Sequence, residues 1–266
     1  MLLFFISFNS FIQFNIKNKD VAKKSLSILT YNVKGTDFKK DIYFDSRHYQ
    51  VVKFVEKQDP DIVVFQEFWN YGFEKYSMYP YSFLGYRPGV EKSLQYVLSK
   101  YPIVNQGYID FPNTNNNAMF IDVDYHEDVI RIYNLHLESF RTNAIHQLNN
   151  SDSYLPLITR IRAAEKARKT QAELVNKHSQ QFDGKTIICG DFNCTQFSPA
   201  YTTLKKSRKD TFVEAGFGIG TTYKLFNYPF RLDYVLVDDN FEVISHQNFN
   251  LKLSDHEPVL ARLIVN

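Results

Sequence analysis

The chain is dominated by short, apolar, β-branched runs that alternate with polar segments. Runs of this kind lie at 26–33, 62–67, 118–125, 129–137, 185–193, 230–237 and 258–265. Their length and composition predict buried strands. Helical spacing of apolar residues is found at 45–58 and at 156–178. Because the strands come in groups with few helices between them, the pattern favours an α+β sandwich of two sheets over a doubly wound parallel sheet.

Composition excludes several classes of protein. Hydrophobic residues make up 44% of the 266 residues and charged residues 23%, which is typical of a globular chain and not of a disordered, collagen-like or coiled-coil one. The net charge of +2 neither indicates nor excludes a nucleic-acid partner, because local patches matter more than the sum. The two cysteines, Cys189 and Cys194, form no disulfide framework and no zinc-binding spacing.

The sequence divides into a leader, residues 1–24, and one domain, residues 25–266. Residues 2–14 are mostly apolar, but the run is shorter than the ~20 residues of a spanning helix. It lacks the basic start and cleavage site of a signal peptide, and lysines follow it. Three interpretations stay open: a remnant membrane anchor, a loosely packed leader and a cryptic signal sequence. We expect a monomer that is cytoplasmic or associated with a membrane through residues 1–16.

Polar residues with catalytic chemistry lie at or near the ends of the predicted strands. They are Asn32, Glu67, His136, Asp191, Asn193, Asp233, Asp255 and His256. A single carboxylate at a strand end is most often a turn former. Asp233 differs, because its apolar neighbours predict burial, and a buried carboxylate needs a partner such as His256.

Together these residues suit metal-assisted hydrolysis of a phosphate ester. Glu67, Asp255 and the side-chain carbonyl of Asn32 are hard oxygen donors that favour Mg²⁺ or Mn²⁺ over zinc. His136 and Asn193 can hold phosphate oxygens. Asp191 can orient or deprotonate a water molecule, and His256 can act as a base or stabilise charge.

The order of the motifs TYN, QE, HLES, GDFN, LDY and SDH resembles the endonuclease/exonuclease/phosphatase superfamily, the fold of DNase I. The resemblance runs from about Ser27 to Val265. The first motif, TYNVKG, is closer to the phosphatase, deadenylase, sphingomyelinase and tyrosyl-DNA phosphodiesterase branches than to abasic-site endonucleases. The layout is also similar to uncharacterised bacterial members that carry membrane segments.

The resemblance implies a four-layer α/β/β/α sandwich with the active site at one edge of the packed sheets. It implies that Asn32 and Glu67 bind the metal and that Asp255 helps directly or through water. It also implies that Asp191 positions the attacking water, that Asn193 and His136 bind the scissile phosphate, and that Asp233 pairs with His256. One or two ions, and Asp191 or His256 as the base, stay open.

The expected activity is hydrolysis of phosphodiesters, including nucleic acids, with Mg²⁺ or Mn²⁺ as cofactor. A phosphomonoesterase, a phosphodiesterase of lipid head groups and a catalytically silent binding domain are the alternatives.

Other residues are assigned smaller roles. The aromatic segment 68–89 is expected to pack against the core, and Tyr223 is either a pocket wall or a core ring. The arginines of the long helix, including Arg168, are expected to form a surface stripe, and Arg141 is a candidate phosphate clamp. Cys194 is expected to be accessible. The remaining histidines are predicted at the surface: His48, His126, His146, His178 and His246.

Overall fold

The computed structural model describes residues 11–15, 25–35, 44–68, 76–139 and 155–266. Their core is a pair of six-stranded sheets. Sheet 1 consists of β2 (Leu26–Asn32), β3 (Ile62–Gln66), β4 (Tyr81–Leu84), β5 (Tyr96–Ser99), β15 (Phe241–Asn248) and β16 (Val259–Val265), and its spatial order is β15-β16-β2-β3-β5-β4. Sheet 2 consists of β6 (Ile103–Asp110), β7 (Asn117–Tyr125), β8 (Asp128–His136), β9 (Lys185–Asp191), β10 (Lys209–Asp210) and β14 (Asp233–Val237), and its spatial order is β10-β14-β9-β8-β7-β6.

Two small strand pairs, one of them a hairpin, and four helices complete the described part of the chain. The pairs are β1 (Gln13–Phe14) with β11 (Phe217–Gly218), and β12 (Tyr223–Leu225) with β13 (Tyr228–Phe230). The helices are α1 (Phe44–Gln58), α2 (Leu155–Ser179), α3 (Pro199–Lys205) and α4 (Thr211–Ala215).

Three layers of buried apolar side chains hold the four layers of secondary structure together. Between the sheets, Ile28 and Val64 of sheet 1 share one cluster with Ile132 and Val235 of sheet 2. The outer faces of the sheets are covered by helices. Val51 and Val55 of α1 pack with Tyr31 and Phe65, and Ala172 and Val175 of α2 pack with Tyr133 and Leu236. This arrangement confirms the predicted α/β/β/α sandwich.

Two parallel strand pairs bring the polar strand ends to one edge of the sandwich. In sheet 1, β2 and β3 run parallel and place Asn32 opposite Gln66. In sheet 2, β8 and β9 run parallel and place His136 opposite Asp191. The antiparallel strand β14 begins at the same edge, with Asp233 opposite Asp191. The carboxyl ends of four strands therefore meet where the two sheets contact each other.

The predicted strands are present with slightly different ends, but all four edge strands, β4, β6, β10 and β15, and the inner strand β5 were missed. Both β6 and β15 carry polar residues at many positions, and the burial of β6 is mostly partial or absent. An edge strand with one solvated face gives a weak apolar signal. The sequence therefore predicts most of the inner strands and does not predict the outer ones.

Helical spacing puts Ile161, Ala164, Leu174 and Val175 on one side of the long helix, and the structure buries only part of that side. Ala164 and Val175 are 6% and 0% exposed, whereas Ile161 and Leu174 are 42% and 37% exposed. Arg168, expected at the surface, is 5% exposed and donates to the backbone oxygen of Glu138 at 3.0 Å. Helical spacing alone does not predict that an arginine is buried in preference to an apolar side chain because it donates to a buried carbonyl.

Three further surface assignments were wrong. His48 and His246 are buried, and so is Cys194. Burial raises the pKa of the Cys194 thiol to about 12. Among the other histidines, His126 is exposed and His178 is half-buried with its Nδ1 atom 2.9 Å from the hydroxyl of Tyr133. The expectation for the segment 68–89 holds for Phe68, Tyr76 and Tyr79, which are buried, but not for Tyr81 and Tyr86, whose exposed fractions are 39% and 60%.

Part of the leader contacts the domain. Gln13 and Phe14 pair with Gly218 and Phe217, and the side-chain amide of Asn15 donates to the backbone oxygen of Val213 at 3.3 Å. No helix within the described ranges is long and apolar enough to cross a membrane. The predictions for residues 1–10 and 16–24, and those for Arg141 and His146, lie outside the described residues.

Candidate active site

The candidate site is built on strand ends that turn sharply. Glu67 follows β3 with φ 47°, Asn193 lies two residues beyond β9 with φ 49°, and Lys34 lies two residues beyond β2 with φ 46°. Residues other than glycine rarely adopt this left-handed conformation, and strained backbone of this kind clusters at functional sites. The turns direct the side chains into one cleft instead of continuing the strands.

A glycine makes the approach of β8 and β9 possible just before Asp191. Gly190 has φ 125°, and a Cβ atom there would lie 2.2 Å from the backbone oxygen of Leu135. Only glycine fits this position, because any side chain would separate the two strands. The close pairing sets Asp191 beside His136.

The carboxylate of Asp191 is the centre of the site. Its side chain is 1% exposed, and its Oδ2 atom accepts hydrogen bonds from the side-chain amides of Asn32 at 2.9 Å and Asn193 at 3.2 Å. The Nε2 atoms of His256 and His136 lie 3.6 Å and 3.8 Å from the same oxygen. One buried carboxylate oxygen of Asp191 thus lies close to the side chains of four other predicted residues.

Asp233 and His256 form the predicted pair. The Nδ1 atom of His256 lies 2.8 Å from Oδ2 of Asp233, and both side chains are buried. Burial opposes protonation of the imidazole, yet the negative charges of Asp233 and Asp191 outweigh it and raise the pKa of His256 to about 10. The ring is therefore cationic at neutral pH, with its Nε2 atom directed towards Asp191.

Glu67 and His136 form the opposite wall. Oε1 of Glu67 accepts from the amide of Asn32 at 3.1 Å and lies 3.5 Å from Nε2 of His136. The Nδ1 atom of His136 lies 3.1 Å from the hydroxyl of Ser93. The Glu67 side chain is 36% exposed, so its carboxylate faces the cleft.

Asp255 lies at the mouth of the cleft and has a partner that the sequence did not reveal. The ammonium group of Lys34 is 2.6 Å from Oδ2 of Asp255. Both side chains are partly exposed, at 44% and 36%. The contact places a cation on a carboxylate that was predicted to bind metal.

Three supporting residues were missed by sequence reasoning. Ser93 contacts His136, Lys34 contacts Asp255, and the hydroxyl of Thr222 accepts from the backbone N–H groups of Leu232 and Asp233 at 3.0 Å and 3.1 Å. Each comes from a segment that is distant along the chain or is part of a loop. Of the three, only Lys34 lies inside a motif. The sequence of that motif does not indicate that the lysine pairs with a carboxylate.

The cleft beside these residues has a volume of 410 Å³. Glu67, Asp191, Asn193, Asp255 and His256 form its polar end. Its other walls come from α2, from the 194–199 segment and from the β12–β13 pair. Tyr223 lines it, with its ring centroid 4.9 Å from that of His256, so the pocket-wall interpretation of this residue is confirmed.

The donor set fits a hard divalent cation. Glu67 and Asp191 present carboxylate oxygens at the polar end of the cleft. The side-chain N–H groups of Asn32 donate to both carboxylates, and its side-chain carbonyl, the atom predicted to bind metal, accepts from the backbone N–H of Lys34 at 3.0 Å. Oxygen donors of this type suit Mg²⁺ or Mn²⁺. The atoms of Asp191, Asp233 and His256 also lie within 4.8 Å of one another. We interpret that trio as a charge-paired group, because Nδ1 of His256 binds Asp233 at 2.8 Å and its Nε2 atom lies 3.6 Å from Asp191.

This site, at the edge of an α/β/β/α sandwich, is the arrangement of the DNase I-like phosphoesterases. The sequence profile of the Endonuclease/Exonuclease/phosphatase family matches residues 29–256, so the chain belongs to that family. Membership supports hydrolysis of phosphate esters. No curated protein sequence matches the chain.

Solved structures share the fold over nearly the whole chain. A truncated Caenorhabditis elegans TDP2 has a TM-score of 0.71 at 15% identity and covers 92% of this chain and 100% of its own. A family protein from Bacteroides thetaiotaomicron has a TM-score of 0.69 at 18% identity, covering 91% and 96%. D. rerio TDP2 complexed with a single-strand DNA product has a TM-score of 0.68 at 16% identity, covering 91% and 100%. At these identities the likeness shows the fold.

Proposed function

We propose that the protein is a divalent-metal-dependent phosphodiesterase that activates water for in-line attack on phosphorus. The observation that carries this proposal is the Oδ2 atom of Asp191, which faces two amides and two imidazoles within 3.8 Å. A buried carboxylate in such a setting can hold a water molecule by a hydrogen bond and accept its proton.

The other residues have complementary roles in this proposal. The imidazolium of His256, held by Asp233, and the side chains of His136 and Asn193 donate to the oxygens of the scissile phosphate. Preorganised donors of this kind stabilise the charge that develops during attack. Glu67 and Asp255 would hold Mg²⁺ or Mn²⁺, joined by the side-chain carbonyl of Asn32 once it is released from the backbone N–H of Lys34. The ion would neutralise phosphate charge and polarise the P–O bonds.

A nuclease and a phosphomonoesterase are variants of the same chemistry. The single-strand DNA product in the D. rerio TDP2 structure supports a nucleic-acid substrate for that protein. A cleft of 410 Å³ beside the phosphate site leaves room for the second ester group of a diester, which favours a phosphodiesterase. A catalytically silent domain is the candidate of another class, and the complete polar set argues against it.

Association with a membrane through residues 1–16 is a further part of the proposal. It rests on the apolar run 2–14 and the lysines that follow it. A cytoplasmic location is the alternative, and the proposed state is a monomer in both cases.

Hydrolysis of bis-p-nitrophenyl phosphate by the full chain tests the proposal. We expect turnover with Mg²⁺ or Mn²⁺ and none with EDTA. Asp191→Ala and His256→Ala should each lower kcat by about 10²–10⁴-fold, because each removes a group that acts on the reacting atoms. Asp239→Ala, at a carboxylate that is 81% exposed, is the matched control and should retain full activity.

Two results would contradict the proposal. Wild-type levels of turnover in both site variants would place the activity elsewhere. Calorimetry that detects no binding of Mg²⁺ or Mn²⁺ to the folded wild-type protein would favour the silent domain. Circular dichroism of each variant shows whether the fold is retained.

A further inference from the structure

The cleft has an apolar half that the proposed chemistry does not use. It is formed by aliphatic and aromatic lining side chains, namely Ile161, Phe197, Leu225, Phe230 and Leu232, and the neighbouring polar residues Glu165, Arg168 and Ser198 also line the cleft. These residues come from α2, from the segment before α3 and from the β12–β13 pair with the residues that follow it. A phosphate needs no such wall, so this half fits the rest of the substrate.

The rim of the apolar half is unusually exposed. The exposed fractions of Phe197, Phe226 and Tyr228 are 58%, 56% and 70%, and that of Ile161 is 42%. Phe226 and Tyr228 lie at the tip of the β12–β13 pair, whose bases line the cleft. Exposed apolar groups that cluster around a binding cleft mark a surface that meets another apolar phase.

The leader extends the same rim. The ring centroid of Phe11 lies 6.4 Å from that of Phe197, and Phe11 is itself 38% exposed. In the sequence, Phe11 belongs to the apolar run 2–14. Phe11 of the leader therefore contacts a residue that lines the cleft.

The charges of the cleft do not suit a polyanion. Among its described lining residues, the cationic side chain apart from His256 is Arg168, which binds Glu165 at 2.7 Å and the backbone oxygen of Glu138. Carboxylates of Glu67, Glu165, Asp191 and Asp255 line the same space. Binding to nucleic acid draws most of its affinity from cations that contact successive phosphates. These walls favour a substrate with one phosphate and an apolar body.

We propose that the substrate is a phospholipid at a bilayer surface. The polar end of the cleft holds the head-group phosphodiester, and the apolar half receives the first part of an acyl chain. Water adds to phosphorus and one P–O ester bond breaks, which yields a phosphomonoester and an alcohol. This inference rests on the proposed function, whose metal and water-activating groups it leaves unchanged.

A pair of chromogenic diesters tests the apolar half. Methyl and hexyl p-nitrophenyl phosphate share the reacting phosphate and leaving group but differ by five methylenes. Since each buried methylene contributes about 0.8 kcal/mol, we expect kcat/KM to be at least about tenfold higher for the hexyl ester. Phe230→Ser and Phe197→Ser should reduce this ratio, which is internal to each variant and insensitive to the amount of folded enzyme.

Sedimentation with unilamellar phosphatidylcholine vesicles tests the rim. We expect the full chain to bind in the presence of EDTA, which separates binding from turnover. Tyr228→Ser should weaken binding about tenfold, because it removes one aromatic ring from the apolar contact. Tyr49→Ser on α1, at a tyrosine that is 56% exposed and does not line the cleft, is the matched control and should bind as wild type does.

The outcomes separate the two proposals. No turnover of either diester overturns the proposed function. Equal turnover of both esters leaves the phosphodiesterase in place and overturns the lipid substrate. A chain-length preference without vesicle binding overturns the bilayer as the source of the substrate.

Cleavage of single-stranded DNA is the outcome that assigns the cleft to a nuclease. It would be faster than cleavage of the diesters, and its rate would fall about 20-fold between 50 and 200 mM salt, as expected for three phosphate contacts.

Discussion

At the level of single residues, the site depends on how one buried carboxylate is shared. Asp191 has two amides as hydrogen-bond donors, and the imidazolium of His256 also lies close to it. The surrounding donors offset the desolvation cost of this negative charge, so the carboxylate can be buried in its ionised form. The same donors hold the carboxylate in one orientation, so it is ready to position a water molecule without rearrangement.

In the proposed site, Lys34 would oppose metal binding at Asp255. Its ammonium group is 2.6 Å from the carboxylate, and a divalent cation at Asp255 must displace it or repel it. We predict that Lys34→Met raises the affinity for Mn²⁺ about fivefold, since like charges about 4 Å apart in water repel by about 1 kcal/mol. Isothermal titration calorimetry of the folded protein measures this directly, without reference to turnover.

Lys57→Met, at an exposed lysine in the last turn of α1, is the matched control and should leave the affinity unchanged. Weaker binding of Mn²⁺ by the Lys34→Met variant would show instead that Lys34 orients Asp255 for the ion.

At the level of strands and helices, a buried polar contact joins the two sheets below the site. The side-chain amide of Gln66 at the end of β3 donates to Oδ1 of Asn134 on β8 at 2.7 Å, and Asn134 donates to the backbone oxygen of Phe65 at 2.9 Å. All three residues are fully buried. Because apolar layers slide more easily than hydrogen-bonded ones, this contact fixes the register of one sheet on the other.

Gln66→Leu tests this contact. The substitution leaves Oδ1 of Asn134 buried without its donor, so we expect the free energy of unfolding to fall by about 1–3 kcal/mol. Combining it with Asn134→Leu should cost less than the sum of the two single changes, since both members of the pair are then removed. Urea unfolding of the four proteins measures the coupling.

Gln106→Leu, at an exposed glutamine on β6, is the control for the change of side chain and should unfold as wild type does. Strictly additive effects of Gln66→Leu and Asn134→Leu would show that the contact between the sheets contributes nothing of its own.

Inner strands and outer elements differed in how well they could be predicted from sequence. The strands β2, β3 and β9 are buried on both faces and appear as continuous apolar runs. The face of α2 was not predictable in the same way, because Arg168 and Gln171 turn inward to bind Glu138. The inward orientation of these two side chains depends on the segment opposite the helix. The periodicity of the helix sequence carries no information about that segment.

At the level of the whole molecule, the candidate site could be anticipated because its residues lie at or near the ends of strands. Parallel pairing of β2 with β3 and of β8 with β9 then brings Asn32, Glu67, His136 and Asp191 to one edge. The supporting hydroxyls of Ser93 and Thr222 could not be anticipated. They reach the site only through the packing of connecting segments, whose sequences resemble those of ordinary loops.

Stability of the whole molecule in mild acid depends on a histidine far from any motif. His246 on β15 is buried, and its Nδ1 atom lies 2.8 Å from the hydroxyl of Thr211. Burial lowers the pKa of His246 from 6.5 to about 4, with Arg231 adding to this shift and Asp210 opposing it. The unfolded chain therefore binds a proton below pH 6.5 that the folded protein does not, and stability is lost as the pH falls from 6.5 towards 4.

His246→Asn tests this dependence, because asparagine keeps a polar atom near Thr211 and does not titrate. Between pH 7 and pH 5 the histidine should cost the wild type about 2 kcal/mol of unfolding free energy, and the variant should lose less by that amount. Urea unfolding at both pH values measures the difference. His126→Asn, at an exposed histidine, should retain the wild-type loss. Parallel losses in the wild type and His246→Asn would mean that His246 is protonated equally in both states, and acid sensitivity would then belong to the carboxylates.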